Sequence, residues 1–305
     1  MIIVYTQSET QVLGAIQLLD TIIQNDKANL YVYDTSKKFE EHYRGKYIPI
    51  VKKNAIRVIL HSIIFKFVLI LGDDRKLHIF FRILFHISRK NYFVDDGLLT
   101  FWLFEKYHRQ KKSKNVFIFT KYKDYIEAYY GAKSKNLLKQ DFQIMDNKKL
   151  PGDTVVIIGG AYLSIGFISQ LEYIILINNI ASQFPDKTVH FIPHPRDLPL
   201  FFELENHFAD KVHLINSQDT FEKKISKYLK PGSNIVSFFS SALLDCKLME
   251  SDANYHYVKL PGHSERDAAH LCGFDPHLIG FNVEARIYEL YNQIGFMELR
   301  NNAIK

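Results

Sequence analysis

Cysteine is scarce in this sequence: Cys246 and Cys272 are the two in 305 residues. A disulfide framework is thereby excluded, and the usage fits a reducing compartment. Long apolar runs are missing as well. The most apolar stretch, Val58 to Gly72 ("VILHSIIFKFVLILG"), is too short to span a bilayer and carries His61 and Lys66, so no transmembrane helix is expected. The first residues, "MIIVYTQSETQVLGAIQLLD", have neither the basic n-region nor the small-residue cleavage site of a signal peptide. They read as a strand running into a helix, and the expected location is cytoplasmic. No zinc-finger spacing, RNA-recognition signature or D-x-D element occurs. Gly159 and Gly160 in "IIGGAYLSIG" lack the G-x-G-x-x-G spacing of a dinucleotide fingerprint. His263, His270, Cys272 and His277 match no ordinary zinc pattern, so no metal is expected.

Apolar mass and a positive balance are what the sequence does have. It is 47% hydrophobic and 24% charged, enough for a large core, and its length suits two domains or one large α/β unit. Lys and Arg outnumber Asp and Glu by 39 to 33, a net charge of +6 that favours anionic partners: phosphates, nucleotides, acidic glycans or an anionic membrane surface. The basic residues are spread along the chain, so nucleic acid is not the expected partner.

Strand and helix patterns alternate. "MIIVYT" (Met1–Thr6) leads through "QSETQ" into a helical stretch at Val12–Ile23, and "ANLYVYD" (Ala28–Asp34) reads as a second strand. Strand, helix, strand at this spacing predicts a parallel sheet. Ala55 to Ser88 reads as helical, rich in Ile, Leu and Phe and dotted with Lys and Arg, and "NYFVDD" follows as a strand. The polar stretch Lys139–Asp153, ending in Pro151-Gly152-Asp153, reads as a linker, which puts one domain at residues 1–150 and another at 151–305. The second half restarts with "TVVIIGG" (Thr154–Gly160) as a buried strand. Helix Ile168–Gln183, strand "TVHFIPHP" (Thr188–Pro195), helix Leu200–Phe208, "KVHLIN", helix Thr220–Tyr228, strand "NIVSFF" and a helix from Ser241 follow. The expected fold class is therefore α/β with GT-B architecture: two Rossmann-like domains facing each other across a cleft, with ligands at strand carboxyl ends.

Three short motifs fall where strands end. Asp95-Asp96-Gly97 follows "NYFV", Pro193-His194-Pro195-Arg196 follows "VHFI", and Ser240-Ser241 separates "NIVSFF" from "ALLDCKLME". Each has a plain structural reading. Aspartates in a turn bond nearby amides while glycine supplies positive φ, a histidine bonds a neighbouring carbonyl, and a serine caps a helix. Each also has a chemical reading. Two adjacent carboxylates repel, which raises one pKa toward that of a general base. Prolines on both sides of His194 stiffen the backbone and present the imidazole to a phosphate oxygen, with Arg196 as an anion clamp. Ser240 and Ser241 offer hydroxyls and helix N-terminal amides to a phosphate. From the residues alone both readings stand.

An acidic pair with glycine, then His-Pro after a strand, then a serine pair, in that order, resemble the motifs of the bacterial sialyltransferases. Chain length is most similar to the lipooligosaccharide sialyltransferases of glycosyltransferase family 52, and the resemblance runs roughly from Met1 to Gly280. It implies an inverting, metal-independent enzyme without a cofactor. CMP-sialic acid is then the donor substrate, and a hydroxyl of a terminal galactose on a surface glycan, lipooligosaccharide or capsule, is the acceptor. It also implies roles. Asp96, or its neighbour Asp95, deprotonates the acceptor hydroxyl. His194 binds the CMP phosphate and protonates the leaving oxygen, and Ser240 and Ser241 hold that phosphate. Gly97, Gly160, Pro195 and Arg196 lie on the substrate-binding side. One loop departs from the family: some members carry an acid before a glycine after the first strand of the second domain, where this chain has Leu163-Ser164-Ile165-Gly166. Either the base is in the Asp95-Asp96 turn, or that loop is misaligned.

If the acceptor is lipid-linked, the apolar and basic region Ala55–Lys90 is a peripheral contact with the anionic inner leaflet; otherwise it is a core helix with solvated charges. Another CMP-activated acidic sugar, such as CMP-Kdo, fits the same motifs, since they read phosphate and not the sugar's tail. A non-catalytic nucleotide- or glycan-binding homologue is the reading from a different class. Acceptor, linkage position and oligomeric state stay open.

Overall fold

Apolar runs without polar alternation suit strands that are covered on both faces, and the computed structural model of the chain is built from them. It describes residues 1–22, 28–51, 54–72, 79–94, 97, 99–109, 115–131, 133–142, 152–164, 166–201, 207–216, 221–238, 240–250, 252–260 and 283–299. The chain divides into two compact units, Met1–Phe142 and Gln143–Lys305. Most of the stretch read as a linker, residues 143–151, lies outside the described residues.

In the first unit the strands are β1 (Ile2–Thr6), β2 (Leu30–Asp34), β3 (Ile48–Pro49), β4 (Val68–Leu71), β5 (Lys90–Val94), β6 (Val116–Thr120) and β7 (Leu137–Lys139). They pair in parallel in the order β3-β2-β1-β4-β5-β6-β7. The helices between them are α1 (Glu9–Ile22), α2 (Phe39–His42), α3 (Ala55–Ile64), α4 (Ile79–Ile87), α5 (Leu99–Phe104) and α6 (Lys123–Tyr130). Val12, Ala15, Leu18 and Leu19 of α1 pack on one sheet face, against Ile2, Val4, Leu30, Val32 and Ile70. On the opposite face Phe81 of α4 sets its ring 4.4 Å from Tyr5 and 5.4 Å from Tyr33, and α3 lies beside α4.

The region Ala55–Ser88 is thus not one helical segment. Val68-Leu69-Ile70-Leu71 is the strand next to β1, with α3 before it and α4 after it. The cause of the misreading is physical. β4 is covered on both faces, so its apolar run continues from α3 with no alternation to mark it. Gly72 closes the strand: its N–H donates to the Tyr5 carbonyl at 2.9 Å, and a β-carbon there would drive into the Gln11 side chain.

The second unit contains β8 (Val155–Ile158), β9 (Val189–Ile192), β10 (Val212–Leu214), β11 (Asn234–Ser237), β12 (Asn254–Tyr257) and β13 (Met297–Glu298), again parallel, in the order β10-β9-β8-β11-β12-β13. Its helices are α7 (Gln170–Ser182), α8 (Leu198–Phe201), α9 (Phe221–Ser226), α10 (Ser241–Met249) and α11 (Val283–Gln293). α7 starts two residues later than its apolar pattern suggests because Ser169 and Glu172 form a capping box. The Ser169 hydroxyl accepts from the Glu172 N–H at 3.3 Å, and the Glu172 carboxylate accepts from the Ser169 N–H at 3.0 Å. Both sheets reverse order after their first strand, as Rossmann sheets do. The fold is α/β with two Rossmann-like domains, the parts from which a GT-B protein is made.

Candidate functional site

A parallel sheet sends its strands' outgoing loops to one edge, and where the strand order reverses two of those loops part and leave a crevice. In the second unit the reversal lies between β8 and β11. Ile158 at the end of β8 stands level with Ile192 of β9 on one side and Ser237 of β11 on the other. The Ser237 hydroxyl donates to the Ile158 carbonyl at 2.9 Å and knits the two strands together. The segments leaving these three strands are Gly159-Gly160, the His194 turn and, after Phe238, Ser240-Ser241. Register therefore brings Gly160, His194, Ser240 and Ser241 to one edge of one sheet. Gly97 belongs to the first unit. It sits after β5 at a φ of 64°, left-handed backbone that glycine adopts without strain, and its carbonyl accepts from the Thr100 N–H at 3.1 Å. Asp95 and Asp96 lie outside the described residues, as do His263, His270, Cys272 and His277. Among the described residues no three His, Cys, Asp or Glu side chains are grouped to hold a metal ion.

His194 is held from several directions. Its carbonyl accepts the N–H groups of Asp197 at 2.9 Å and Leu198 at 3.0 Å, so the turn is closed. Its ring Nδ1 lies 3.2 Å from the Arg196 N–H and accepts from it. An imidazole that accepts at Nδ1 carries its proton on Nε2, which leaves Nε2–H as a donor. Burial pushes the ring's pKa below the ordinary histidine value, the Asp197 carboxylate pulls it back up, and Arg196 adds to the lowering. His194 is therefore a neutral donor at pH 7. Pro195 and Arg196 are exposed on the same turn.

Asp197, which sequence reasoning passed over, is fully buried. Its two carboxylate oxygens accept main-chain N–H groups from Leu163 and Ser164, each at 2.9 Å. It thereby ties the loop after β8 to the turn that carries His194. The carboxylate missing from Leu163–Gly166 is thus supplied to that loop from the neighbouring one, with both oxygens occupied by amides. Gly166 takes a φ of 69° in the same loop. Beneath it, Tyr173 of α7 is buried among Tyr162, Phe191, Phe201 and Phe238, at ring distances of 5.5–5.9 Å. Its hydroxyl accepts from the Gly160 N–H at 3.3 Å, and burial keeps that hydroxyl protonated. A β-carbon on Gly160 would run into the Tyr162 ring, so the backbone can come close here only as glycine.

At the third strand end Ser240 is the N-cap of α10. Its hydroxyl oxygen accepts from the Ala242 N–H at 3.2 Å, so the plain capping role is realised. Tyr291 of α11 grips the same residue: its hydroxyl donates to the Ser240 carbonyl at 2.7 Å and accepts from the Ser240 N–H at 2.9 Å. Tyr291 is fully buried, which raises its pKa and keeps the O–H donor in place. Ser241, half-buried at the first position of α10, bonds nothing among the described residues through its amide or hydroxyl. These free donors, with the positive end of the helix dipole, suit an anion. The edge can thus present Nε2–H of His194 and the start of α10 to a phosphate.

A family model described as "Alpha-2,8-polysialyltransferase (POLYST)" matches residues 45–259, a span that holds Asp95-Asp96-Gly97, Gly160, the His194 turn and Ser240-Ser241. No curated protein matches the chain. Among solved structures, Methanocaldococcus jannaschii UDP-GlcNAc 2-epimerase in complex with UDP-GlcNAc and UDP is similar over 88% of this chain and 86% of its own, at 11% identity and a TM-score of 0.49. The S. aureus MnaA-UDP co-structure is similar over 97% of this chain and 91% of its own, at 13% identity and 0.47. Acinetobacter baumannii MurG covers 100% of this chain and is covered over 86%, at 6% identity and 0.44. Likenesses this distant carry no functional weight, and the fold rests on the two sheets themselves.

Proposed function

The chain belongs to the alpha-2,8-polysialyltransferase family, and from that premise we propose that it transfers sialic acid from CMP-sialic acid to a glycan hydroxyl, with inversion and without a metal ion. Membership makes it a glycosyltransferase of the sialyltransferase type; donor, mechanism and acceptor are the proposal. The observation that supports it best is the level ending of β8, β9 and β11, from which the segments bearing Gly160, His194 and Ser240-Ser241 leave at one edge of the sheet.

Sialyl transfer breaks the bond between the sugar's anomeric carbon and a phosphate oxygen. The electron pair stays on the CMP phosphate while the sugar becomes cation-like. Donors fixed at that phosphate stabilise the transition state more than the ground state. In this reading Nε2–H of His194 and the amide and hydroxyl of Ser241 are those donors, Ser240 shapes the helix start, and Gly160 lets the backbone come close. A phosphate beside His194 counters the burial that keeps the ring neutral, so the bound nucleotide promotes proton uptake and the ring can pass that proton to the leaving oxygen. Asp96, with Asp95 beside it, takes the acceptor's proton. That assignment rests on the resemblance of the Asp-Asp-Gly turn to the sialyltransferase motif, and it requires the two units to face each other in the GT-B manner.

The family's description favours an acceptor that ends in sialic acid, and a net charge of +6 suits such an anionic glycan. A terminal galactose is the other acceptor. The test is to incubate the purified chain with CMP-sialic acid and fluorescent glycans ending in either sugar, following CMP release and product mass. Sialic-acid mass increments matched by CMP release are expected. CMP binding without release would make the chain a binding subunit, and transfer from CMP-Kdo but not CMP-sialic acid would replace the donor; either overturns the reading.

A further inference from the structure

α3 and α4 lie side by side over one face of the first sheet, and each turns an apolar stripe both inward and outward. Val58 and Ser62 are the buried side of α3, and Phe80, Phe81 and Leu84 that of α4. On the other side of α3, Ile56, Leu60, Ile63 and Ile64 recur at helical spacing, with Ile56 72% and Ile64 71% exposed. Ile79, Ile83 and Ile87 repeat every fourth residue on α4, with Ile79 69% exposed. Together with Phe65 these make up eight of the sixteen large hydrophobic residues exposed among the described ones. Single exposed apolar residues are ordinary, but a concentration on two adjoining helices marks a surface that something covers.

The charges around the stripe indicate what covers it. Arg57, Lys66, Arg82 and Arg89 are exposed on or beside these helices, and residues 54–72 and 79–94 contain no Asp or Glu. The intervening Asp73-Asp74-Arg75-Lys76 balances in charge. A two-fold pairing of this face with itself would set Arg57, Lys66 and Arg89 against like charges, and neither α3 nor α4 carries an Asp or Glu to face them. A bilayer carrying anionic lipids offers both complements at once, an acyl boundary for the isoleucines and negative headgroups for the arginines and lysine. We propose that the outward face of α3 and α4 docks the first unit onto an anionic membrane surface, lying in the interface. Among the described residues no helix is long and apolar enough to cross a membrane. The face is built from first-unit residues and the candidate site from second-unit residues, so the proposal does not depend on which sugar that site takes.

Flotation of the full chain with vesicles tests it. The chain should float with vesicles containing about 30% anionic lipid at about 50 mM salt, and about tenfold less with purely zwitterionic vesicles or at about 500 mM salt. The double variant Ile63→Glu/Ile83→Glu, changed only at exposed positions, should lose at least about tenfold of that flotation while keeping its unfolding temperature and its CMP binding. CMP binding, measured separately by calorimetry, reports on the donor reading, so the two can fail independently. Absence of wild-type flotation at low salt, or equal flotation of the double variant, overturns the proposal. A sedimenting dimer that the double variant disperses gives the face to a second copy and overturns it as well.

Discussion

Replacing Asp197 by asparagine probes the clamp behind His194. The carboxylate is fully buried, and its two oxygens each accept a backbone N–H, from Leu163 and Ser164, at 2.9 Å. An amide of the same shape keeps one carbonyl oxygen and turns its NH2 toward the other backbone N–H, donor against donor. One charge-assisted hydrogen bond, about 1.5–3 kcal/mol, is lost, and the other falls to the neutral value of about 0.5–1.5 kcal/mol. Relief of a buried charge offsets part of this, which leaves a net cost on the order of 2 kcal/mol. For a unit of this size that is a fall of about 4–8 °C in the unfolding temperature. A second readout separates a positioning role from a merely structural one. Asp197 raises the pKa of His194 against the effect of burial, so in Asp197→Asn the ring should titrate at lower pH than in the wild type, as followed by NMR. An unfolding temperature within about 1 °C of wild type, with an unchanged His194 titration, would refute the clamp.

Three further expectations concern single side chains. His194→Ala should keep the fold and lower kcat by about a hundredfold or more, the usual cost of removing one transition-state donor, and near-normal turnover would remove His194 from the mechanism. Tyr291→Phe takes away the partner of both the Ser240 N–H and its carbonyl. It should cost about 1–3 kcal/mol of stability and raise KM for the CMP-sugar more than it lowers kcat, and an unchanged KM would count against the helix-start site. His256 is buried, its Nε2 lies 3.2 Å from Asn234 Oδ1, and burial, then Lys187, lowers its pKa to about 4. Because the unfolded chain binds this proton more readily, the stability it confers is complete above the ordinary histidine pKa and is lost as pH falls toward 4. The loss should be on the order of 2–3 kcal/mol in urea midpoints between pH 7.5 and 4.5, and His256→Gln should flatten it; an equally steep profile in the variant would contradict the burial argument.

The strands that the sequence made legible are those whose neighbours are unambiguous. "MIIVYT", "TVVIIGG" and "TVHFIP" are continuous apolar runs bounded by polar or glycine-rich turns, and they became β1, β8 and β9. β4 was hidden because its four residues are apolar on both faces and follow an apolar helix directly. β3 and β13, two residues each, are too short to leave a pattern. At the site, strand-end placement was readable for His194, Gly160 and Ser240, since a motif that follows an apolar run must leave the sheet at its carboxyl edge. Which of those loops are neighbours was not, because that depends on strand order. Asp197 gave no signal: an aspartate just before Leu198-Pro199 reads as an exposed helix start, and only the fold shows the amides of Leu163 and Ser164 closing on it. Tyr291 lies 51 residues from Ser240, and no local pattern ties a buried tyrosine to a distant backbone. Ser240 met its plain reading as a cap, which moves the free donors to Ser241.

The most direct test is a crystal structure with CMP bound. The account predicts the phosphate at the end of β8, within hydrogen-bonding distance of Nε2 of His194 and of the Ser241 amide at the start of α10. A phosphate bound away from both would contradict it.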